Sequence, residues 1–311
     1  MSNKPFIVYV AARGFEGELQ EELELAGVQV REVRERLVLA DGFFPAAWAQ
    51  NIWLEPFFLP IASVGDAVRR LKAVQRNWHL HPVDFHRRAE LIRQQLPPVK
   101  ARPLRFGESA PASPLGAWTL WDHDTLLLSA RCSSPFPDGE VFFEEDRVHP
   151  PSRAYLKLWE VFTLLGQAPQ PGELCLDLGS APGGWTWVLA SLGAHVFSID
   201  KSPLAPQVAA MKGVEHCLGS GFALEPQTTG RVDWVFSDMA CYPERLLGLV
   251  RKWLEAEAAA NFVCTVKLQG RTDHEAVQDF RSIPGSLVMH LSCNKHELTW
   301  VRLAKGRQQR I

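Results

Sequence analysis

The sequence predicts an α/β fold, with a mostly parallel sheet that closes with an antiparallel hairpin and is preceded by a smaller α+β region. After Pro151, apolar runs typical of buried strands alternate with segments of helix length, and this alternation builds parallel sheets. The runs occupy residues 174–178, 195–199, 232–237 and 262–268. Residues 287–291 and 298–303 are separated by too few residues for a crossover helix, so we expect them to form the closing hairpin.

The first half of the chain shows a different pattern, and we place the domain boundary between residues 149 and 150. Residues 6–12 are typical of a strand, residues 16–26 carry apolar side chains at helical spacing, and a second β-rich run ends at Leu39. This order predicts a ferredoxin-like start. Residues 46–98 are expected to be mainly helical. The predicted domains are therefore 1–149, the α+β region, and 150–311, the larger α/β domain.

The composition is that of a soluble protein large enough for two compact domains. The chain has 311 residues, 46% of them hydrophobic and 22% charged. Its six cysteines show no CxxC pair and no histidine at metal-ligand spacing, so we expect no disulfide framework, no metal site and a reducing, cytoplasmic location. The first twelve residues lack the features of a signal peptide, and we expect no membrane association.

Basic residues are concentrated in one stretch, although the net charge of the chain is −2. Residues 67–105 contain ten basic side chains against two acidic ones: Arg69, Arg70, Lys72, Arg76, Arg87, Arg88, Arg93, Lys100, Arg102 and Arg105 against Asp84 and Glu90. Such a stretch suits contact with phosphates, because each neutralised phosphate releases counterions and adds affinity. The alternative is a solvated helix face. Lys305, Arg307 and Arg310 would extend the positive surface, and we expect residues 1–149 to recognise RNA.

The strongest motif is a glycine-rich turn between an apolar strand and a helix. Its residues, taken as cofactor-binding candidates, are Asp177, Gly179, Ser180, Ala181, Pro182, Gly183, Gly184 and Trp185. The turn does not read GxGxxG, and no Gly-Lys-Ser/Thr follows, so neither a dinucleotide nor a P-loop site is indicated. Asp177 can hold an amino group, and Asp200 can accept both hydroxyls of an adenosine ribose. The pattern therefore suits S-adenosylmethionine, although such turns also occur for conformational reasons alone.

Five motifs in the second half together resemble the FtsJ/RrmJ-like ribose 2′-O-methyltransferases. They are Pro-Ser-Arg-Ala-Tyr-Leu-Lys-Leu at 151–158, the loop at 177–185, Ser-Asp-Met at 237–239, Val-Lys-Leu at 266–268 and His-Glu-Leu-Thr at 296–299. The resemblance covers almost the whole second half and implies a Rossmann-like, S-adenosylmethionine-dependent methyltransferase domain. Arg-Gly-Phe-Glu at 13–16 and Ser-Pro-Phe at 134–136 are similar to the RlmM-like subgroup, bacterial enzymes that methylate cytidine in large-subunit rRNA.

The resemblance implies a catalytic tetrad of Lys157, Asp238, Lys267 and Glu297, with Asp238 also near the cofactor. Methyl transfer from a sulfonium is an in-line displacement, so the enzyme mainly has to align the hydroxyl and remove its proton. A lysine acts as that base only if burial and a neighbouring cation lower its pKa from about 10.4. We expect Lys267 to be the base, with Lys157 as the neighbouring cation and the two carboxylates orienting both ammonium groups.

Two features depart from the family pattern. Ser220 stands where the family usually carries an aspartate near the adenine, and its hydroxyl can bond the adenine amino group only without charge assistance. The THUMP region that binds RNA in the RlmM-like subgroup is not recognisable in the first half. Two alternatives therefore stay open: a ribose methyltransferase acting on tRNA or mRNA, and a noncatalytic RNA-binding or ribosome-assembly protein that keeps the methyltransferase scaffold.

Overall fold

The chain divides into two compact units between Phe142 and Phe143. The structure, a computed structural model, describes residues 5–99 and 101–304. The sequence analysis placed the boundary at 149/150, a few residues later. Residues 143–149 belong with the second unit because Phe143 packs edge-on against Trp159, at 5.6 Å between ring centroids, and Glu145 binds Arg153 at 2.6 Å.

The first sheet of the N-terminal unit is antiparallel and carries one helix. Its elements are β1 (Ile7–Ala11), α1 (Glu16–Leu25), β2 (Val30–Arg34), β3 (Leu37–Ala40) and β4 (Ala49–Trp53). The strand order is β2-β3-β1-β4, and β1 pairs antiparallel with both β3 and β4. This is a βαββ start with one helix, whereas a complete βαββαβ unit has two.

A second sheet of the same unit carries two helices. Its elements are β5 (Phe57–Pro60), α2 (Val64–Val74), β6 (Trp78–Leu80), α3 (His86–Arg93), β7 (Gly116–Asp122) and β8 (Thr125–Ser129), in the strand order β5-β8-β7-β6. Leu71 of α2 and Ile92 of α3 join Trp118 of β7 in one buried cluster. The expectation of a mainly helical segment at residues 46–98 is wrong, because β4, β5 and β6 lie within it. These strands have only three to five residues each, too few for a clear alternating pattern.

The second unit is built on one seven-stranded sheet. Its elements are α4 (Tyr155–Leu165), β9 (Leu174–Leu178), α5 (Gly184–Ser191), β10 (His195–Asp200), α6 (Pro206–Ala209), β11 (Val214–Leu218), α7 (Pro226–Thr229), β12 (Val232–Ser237), α8 (Pro243–Glu255), β13 (Ala259–Lys267), α9 (His274–Ser282), β14 (Ser286–Met289) and β15 (Glu297–Arg302). The strand order is β11-β10-β9-β12-β13-β15-β14. The predicted parallel sheet is confirmed. The predicted closing hairpin is also confirmed, since β15 pairs antiparallel with β13 and β14.

The sheet topology brings the carboxyl ends of five parallel strands to one edge. Strands β9, β10, β11, β12 and β13 run in the same direction, so their carboxyl ends lie together. Strand β15 runs the opposite way and begins at that edge, where Glu297 is paired in register with Lys267. Open α/β sheets bind ligands outside the carboxyl ends of their strands. Among the described residues, no helix is both long and apolar enough to cross a bilayer.

Candidate active site

The four residues of the predicted tetrad lie on four different elements and meet at the carboxyl edge of the sheet. Lys157 is in the first turn of α4, and Asp238 directly follows β12. Lys267 is the last residue of β13 and Glu297 the first of β15. The cluster therefore depends on the sheet being assembled in this order.

Three ion pairs connect the tetrad. Lys157 Nζ lies 2.6 Å from Glu297 Oε1 and 3.2 Å from Asp238 Oδ1. Lys267 Nζ lies 3.1 Å from the same Asp238 Oδ1. Asp238 Oδ1 thus bridges the two ammonium groups. Two cations and two anions balance in charge.

The two lysines differ in surroundings. The side chain of Lys157 is 9% exposed, whereas that of Lys267 is 28% exposed. Burial acts to lower the pKa of Lys157, but the Asp238 and Glu297 carboxylates outweigh it, so its pKa is raised above the ordinary lysine value. Lys157 is therefore the fixed cation of the cluster. Lys267 contacts one carboxylate and is the more accessible amine.

Helix α4, which carries Lys157, is fixed from two sides. The indole Nε1 of Trp185 donates to the Ala154 carbonyl at 2.9 Å, just before the helix begins. Glu160, only 2% exposed, accepts from the backbone N–H of Ser292 at 2.8 Å and from its hydroxyl at 2.8 Å. The sequence analysis did not select Glu160, because nothing in the sequence indicates that this charge is buried.

The glycine-rich turn presents only part of its surface to solvent. Pro182 is exposed, and Gly179 and Ala181 are half-buried. The remaining candidates of the turn are buried: Asp177, Ser180, Gly183, Gly184 and Trp185. A ligand that lies on this turn therefore first meets residues 179, 181 and 182.

The glycines of the turn allow close packing within the protein. Gly179 has φ +78°, and a Cβ there would lie 2.4 Å from Met239 Cγ. At Gly184, a Cβ would lie 2.5 Å from the Ser152 hydroxyl. The turn is thus pressed against the residue that follows Asp238 and against the segment that leads into α4. Met239 belongs to the Ser-Asp-Met motif but was not among the predicted site residues.

Asp177 lies beneath the turn. Its Oδ2 accepts a hydrogen bond from the Thr186 hydroxyl at 2.6 Å, and its buried Oδ1 has no hydrogen-bond partner among the described residues. Burial raises the pKa of Asp177 to about 7, the Thr186 hydrogen bond acts against this, and the neighbouring Asp238 and Asp200 add to it. The Oδ1 atom is left to accept a proton donor from a ligand.

Asp200 and Ser220 lie at the ends of the next two strands. Asp200 Oδ2 accepts from the Ala181 N–H at 3.1 Å, and Oδ1 accepts from the Ser202 N–H at 2.9 Å. Each oxygen has a second lone pair for a ligand hydroxyl. Ser220, the expected adenine contact, follows β11 and is half-buried. The sequence analysis missed β11 itself, because this edge strand carries the polar Glu215 and His216 instead of an apolar run.

The basic stretch of the N-terminal unit is partly neutralised by acidic neighbours. Five of its cations bind carboxylates: Arg69 and Arg70 bind Asp66, Arg88 binds Asp124, Arg93 binds Glu90 and Arg102 binds Glu108. Exposed Lys72, Arg76 and Arg87 have no carboxylate partner among the described residues. Lys100 and the candidates Lys305, Arg307 and Arg310 lie outside the described residues. The free positive surface is therefore smaller than the residue count suggests.

The strand order, the glycine-rich turn after β9 and the lysine–carboxylate cluster together define a Rossmann-like methyltransferase domain. Residues 150–294 match the sequence model of the FtsJ-like methyltransferase family. The match agrees with the resemblance carried by the first four motifs, and the fifth motif, at 296–299, lies just beyond the matched residues.

Curated relatives match part of the chain. Ribosomal RNA large subunit methyltransferase M of Halorhodospira halophila is 41% identical over 131 residues, which cover 41% of this chain and 38% of that protein. The protein of the same name from Alkalilimnicola ehrlichii is 39% identical over 163 residues, which cover 50% of this chain and 44% of that protein. The chain thus spans less than half the length of these relatives.

Solved structures resemble the chain more distantly. The magnesium protoporphyrin IX methyltransferase of Synechocystis PCC 6803, solved with bound SAM, is 16% identical with a TM-score of 0.32. The similarity covers 42% of this chain and 71% of that chain and is too low to inform function.

Proposed function

We propose that this protein transfers a methyl group from S-adenosylmethionine to the 2′-hydroxyl of a ribose in RNA, with Lys267 as the general base. The observation that carries the proposal is the cluster of Lys157, Asp238, Lys267 and Glu297 at the ligand-binding edge of the sheet. An unactivated hydroxyl needs a base and a fixed geometry, and this cluster offers both.

The residues at the sheet edge fit the cofactor. The unpartnered Oδ1 of Asp177 suits an ammonium group, and the Asp200 carboxylate has lone pairs for two ribose hydroxyls. Ser220 offers a hydroxyl at the end of β11, where an aspartate would offer a charge. When bound, S-adenosylmethionine supplies an electrophilic methyl group on a positively charged sulfur.

Each tetrad residue has a distinct task in this scheme. Lys157 remains an ammonium because two carboxylates hold it, and it is the fixed cation of the cluster. Lys267 Nζ accepts the proton of the ribose hydroxyl, while Asp238 keeps the two amines in position. With Lys267 neutral, the other three charges sum to minus one, which favours a cationic methyl donor beside them.

We assign the substrate to large-subunit rRNA, with cytidine as the modified nucleoside, and the reaction to the cytoplasm. The names of the relatives from Halorhodospira halophila and Alkalilimnicola ehrlichii support the RNA class. Exposed Lys72, Arg76 and Arg87 of the N-terminal unit support contact with a polyanion. All six cysteines are free thiols, which suits a reducing compartment.

The test is methyl transfer from radiolabelled S-adenosylmethionine to RNA from cells that lack this protein, followed by digestion to nucleosides. We expect the label in 2′-O-methylcytidine from the large-subunit rRNA fraction. Label in 2′-O-methyl nucleosides of tRNA or mRNA would support ribose methylation but contradict the assignment of the substrate to large-subunit rRNA. Label on a base would overturn the chemistry. No transfer and no cofactor binding would favour a noncatalytic scaffold.

A further inference from the structure

An exposed tyrosine lies at the same sheet edge as the tetrad. The chain has three tyrosines, of which Tyr9 and Tyr155 are buried and Tyr242 is 63% exposed. Tyr242 ends the short loop that follows Asp238 and directly precedes α8. Its aromatic ring is therefore available to a ligand on the side of the sheet where the chemistry takes place.

The backbone of Tyr242 is held in place. Its carbonyl accepts the N–H groups of Arg245 at 3.1 Å and Leu246 at 3.3 Å, which form the first turn of α8. The next residue, Pro243, is buried at the start of the helix and fixes the entry of the chain. The backbone that carries the ring is thus fixed, so none of its freedom has to be lost when a flat ligand stacks on the ring.

An oriented cation lies one helical turn further along. The guanidinium carbon of Arg245 lies 3.9 Å from the centroid of the Phe222 ring. Arg245 is exposed and has no carboxylate partner among the described residues. Stacking fixes the plane of the guanidinium but leaves its N–H groups, which point outward in that plane, free to bind a phosphate.

A single exposed aromatic residue is ordinary on a protein surface. An exposed aromatic ring one helical turn from an unneutralised, oriented arginine is a combination with which proteins bind single-stranded RNA, through a base stack and a phosphate contact. We propose that Tyr242 and Arg245 form a nucleotide subsite on the catalytic unit. Tyr242 stacks on a base next to the target ribose, and Arg245 binds a neighbouring phosphate. The inference rests on the proposed function, because it assumes that RNA is the substrate.

The kinetic test compares variants on large-subunit rRNA from cells that lack this protein. Tyr242→Ala should raise KM for the RNA about 10-fold, within the range for loss of one base–aromatic stack. Tyr242→Phe keeps the ring and should restore the wild-type value. Arg245→Ala should raise KM and lower the slope of log KM against log salt by about 0.7, as loss of one phosphate contact predicts. The matched control is Arg251→Ala. Arg251 is an exposed arginine of the same helix, but it is paired with Asp279, so its removal should change neither KM nor the salt slope.

A binding test does not depend on turnover. Tetranitromethane nitrates exposed tyrosines, and Tyr242 should react while Tyr9 and Tyr155 are protected by burial. We expect the same rRNA to protect Tyr242 from nitration and S-adenosylmethionine alone not to. Unchanged KM in Tyr242→Ala, protection by S-adenosylmethionine alone, or nitration unaffected by RNA would each overturn the subsite. If RNA protects Tyr242 of the wild-type protein from nitration but receives no methyl group, the proposed function fails while the subsite stands.

Discussion

Lys157 and Glu297 form the shortest ion pair of the proposed catalytic cluster, at 2.6 Å, and they join the helix that precedes the sheet to its last strand in the sequence, β15. The cluster therefore links distant parts of the unit. Because both side chains are largely buried, the same contact should influence stability and activity.

Lys157→Met should destabilise the protein by roughly 3–5 kcal/mol, because it leaves the largely buried Glu297 carboxylate without its ion-pair partner. Lys267→Met should change the free energy of unfolding by less than about 1 kcal/mol, because this side chain is more exposed. Urea unfolding followed by circular dichroism measures both values. Equal losses in the two variants would contradict the assignment of Lys157 as the buried, fixed cation.

Asp177→Asn should stabilise the cofactor-free protein at pH 8. Burial raises the pKa of this carboxyl to about 7 from an ordinary value of 3.8, so the folded chain binds the proton more tightly than the unfolded chain. The stabilisation from that proton is present at low pH and is lost as the pH rises from about 4 to above 7. Asparagine is neutral at every pH, so the variant should have a free energy of unfolding roughly 2–4 kcal/mol higher than that of the wild type at pH 8.

The control for Asp177→Asn is the same comparison at low pH. At pH 4, where the wild-type carboxyl is protonated in the folded chain, the two proteins should unfold at similar temperatures in calorimetry. The variant should also bind S-adenosylmethionine more weakly at pH 8, because the ammonium group loses its anionic partner. Tighter cofactor binding by the variant would show that Asp177 only links β9 to α5.

Trp185→Phe should lower kcat more than it changes cofactor affinity. The substitution keeps most of the buried ring but removes the hydrogen bond to the Ala154 carbonyl, which costs about 1 kcal/mol and loosens the start of α4. Lys157 lies in that first helical turn, so its position depends on the bond. Steady-state kinetics and calorimetric titration with S-adenosylmethionine separate the effects. A loss of cofactor affinity at unchanged kcat would instead make Trp185 a cofactor contact, as the sequence predicted.

The triple variant Lys72→Ala, Arg76→Ala, Arg87→Ala should bind RNA more weakly and with a smaller salt dependence, because these exposed cations have no carboxylate partner among the described residues. The matched control, Arg93→Ala, removes a cation that Glu90 already neutralises. Fluorescence anisotropy with labelled rRNA fragments at several salt concentrations measures both. Equal effects of the triple variant and the control would argue against a phosphate-contacting surface at these three positions.

The sequence predicted the architecture of the second unit because the central strands of its sheet are largely buried and apolar. Leu174–Leu178 and Val232–Ser237 agree with the prediction residue for residue. The exposed edge strand β11 and the short strands of the N-terminal unit were missed, since neither carries a long apolar run. The family resemblance implied all four tetrad residues. Whether Asp177 and Trp185 face a ligand or the core depends on tertiary packing, which the sequence does not display.

The central claim, that Lys267 removes the proton of a ribose hydroxyl, is tested most directly by single-turnover methyl transfer. Wild type and Lys267→Met are saturated with S-adenosylmethionine and large-subunit rRNA, and binding of both ligands is measured in parallel. We expect the variant to bind both ligands within about 3-fold of wild type and to transfer the methyl group about 10² to 10⁴ times more slowly, the usual contribution of a general base. A variant that binds both ligands and still transfers the methyl group at a rate within 10-fold of wild type would contradict the account.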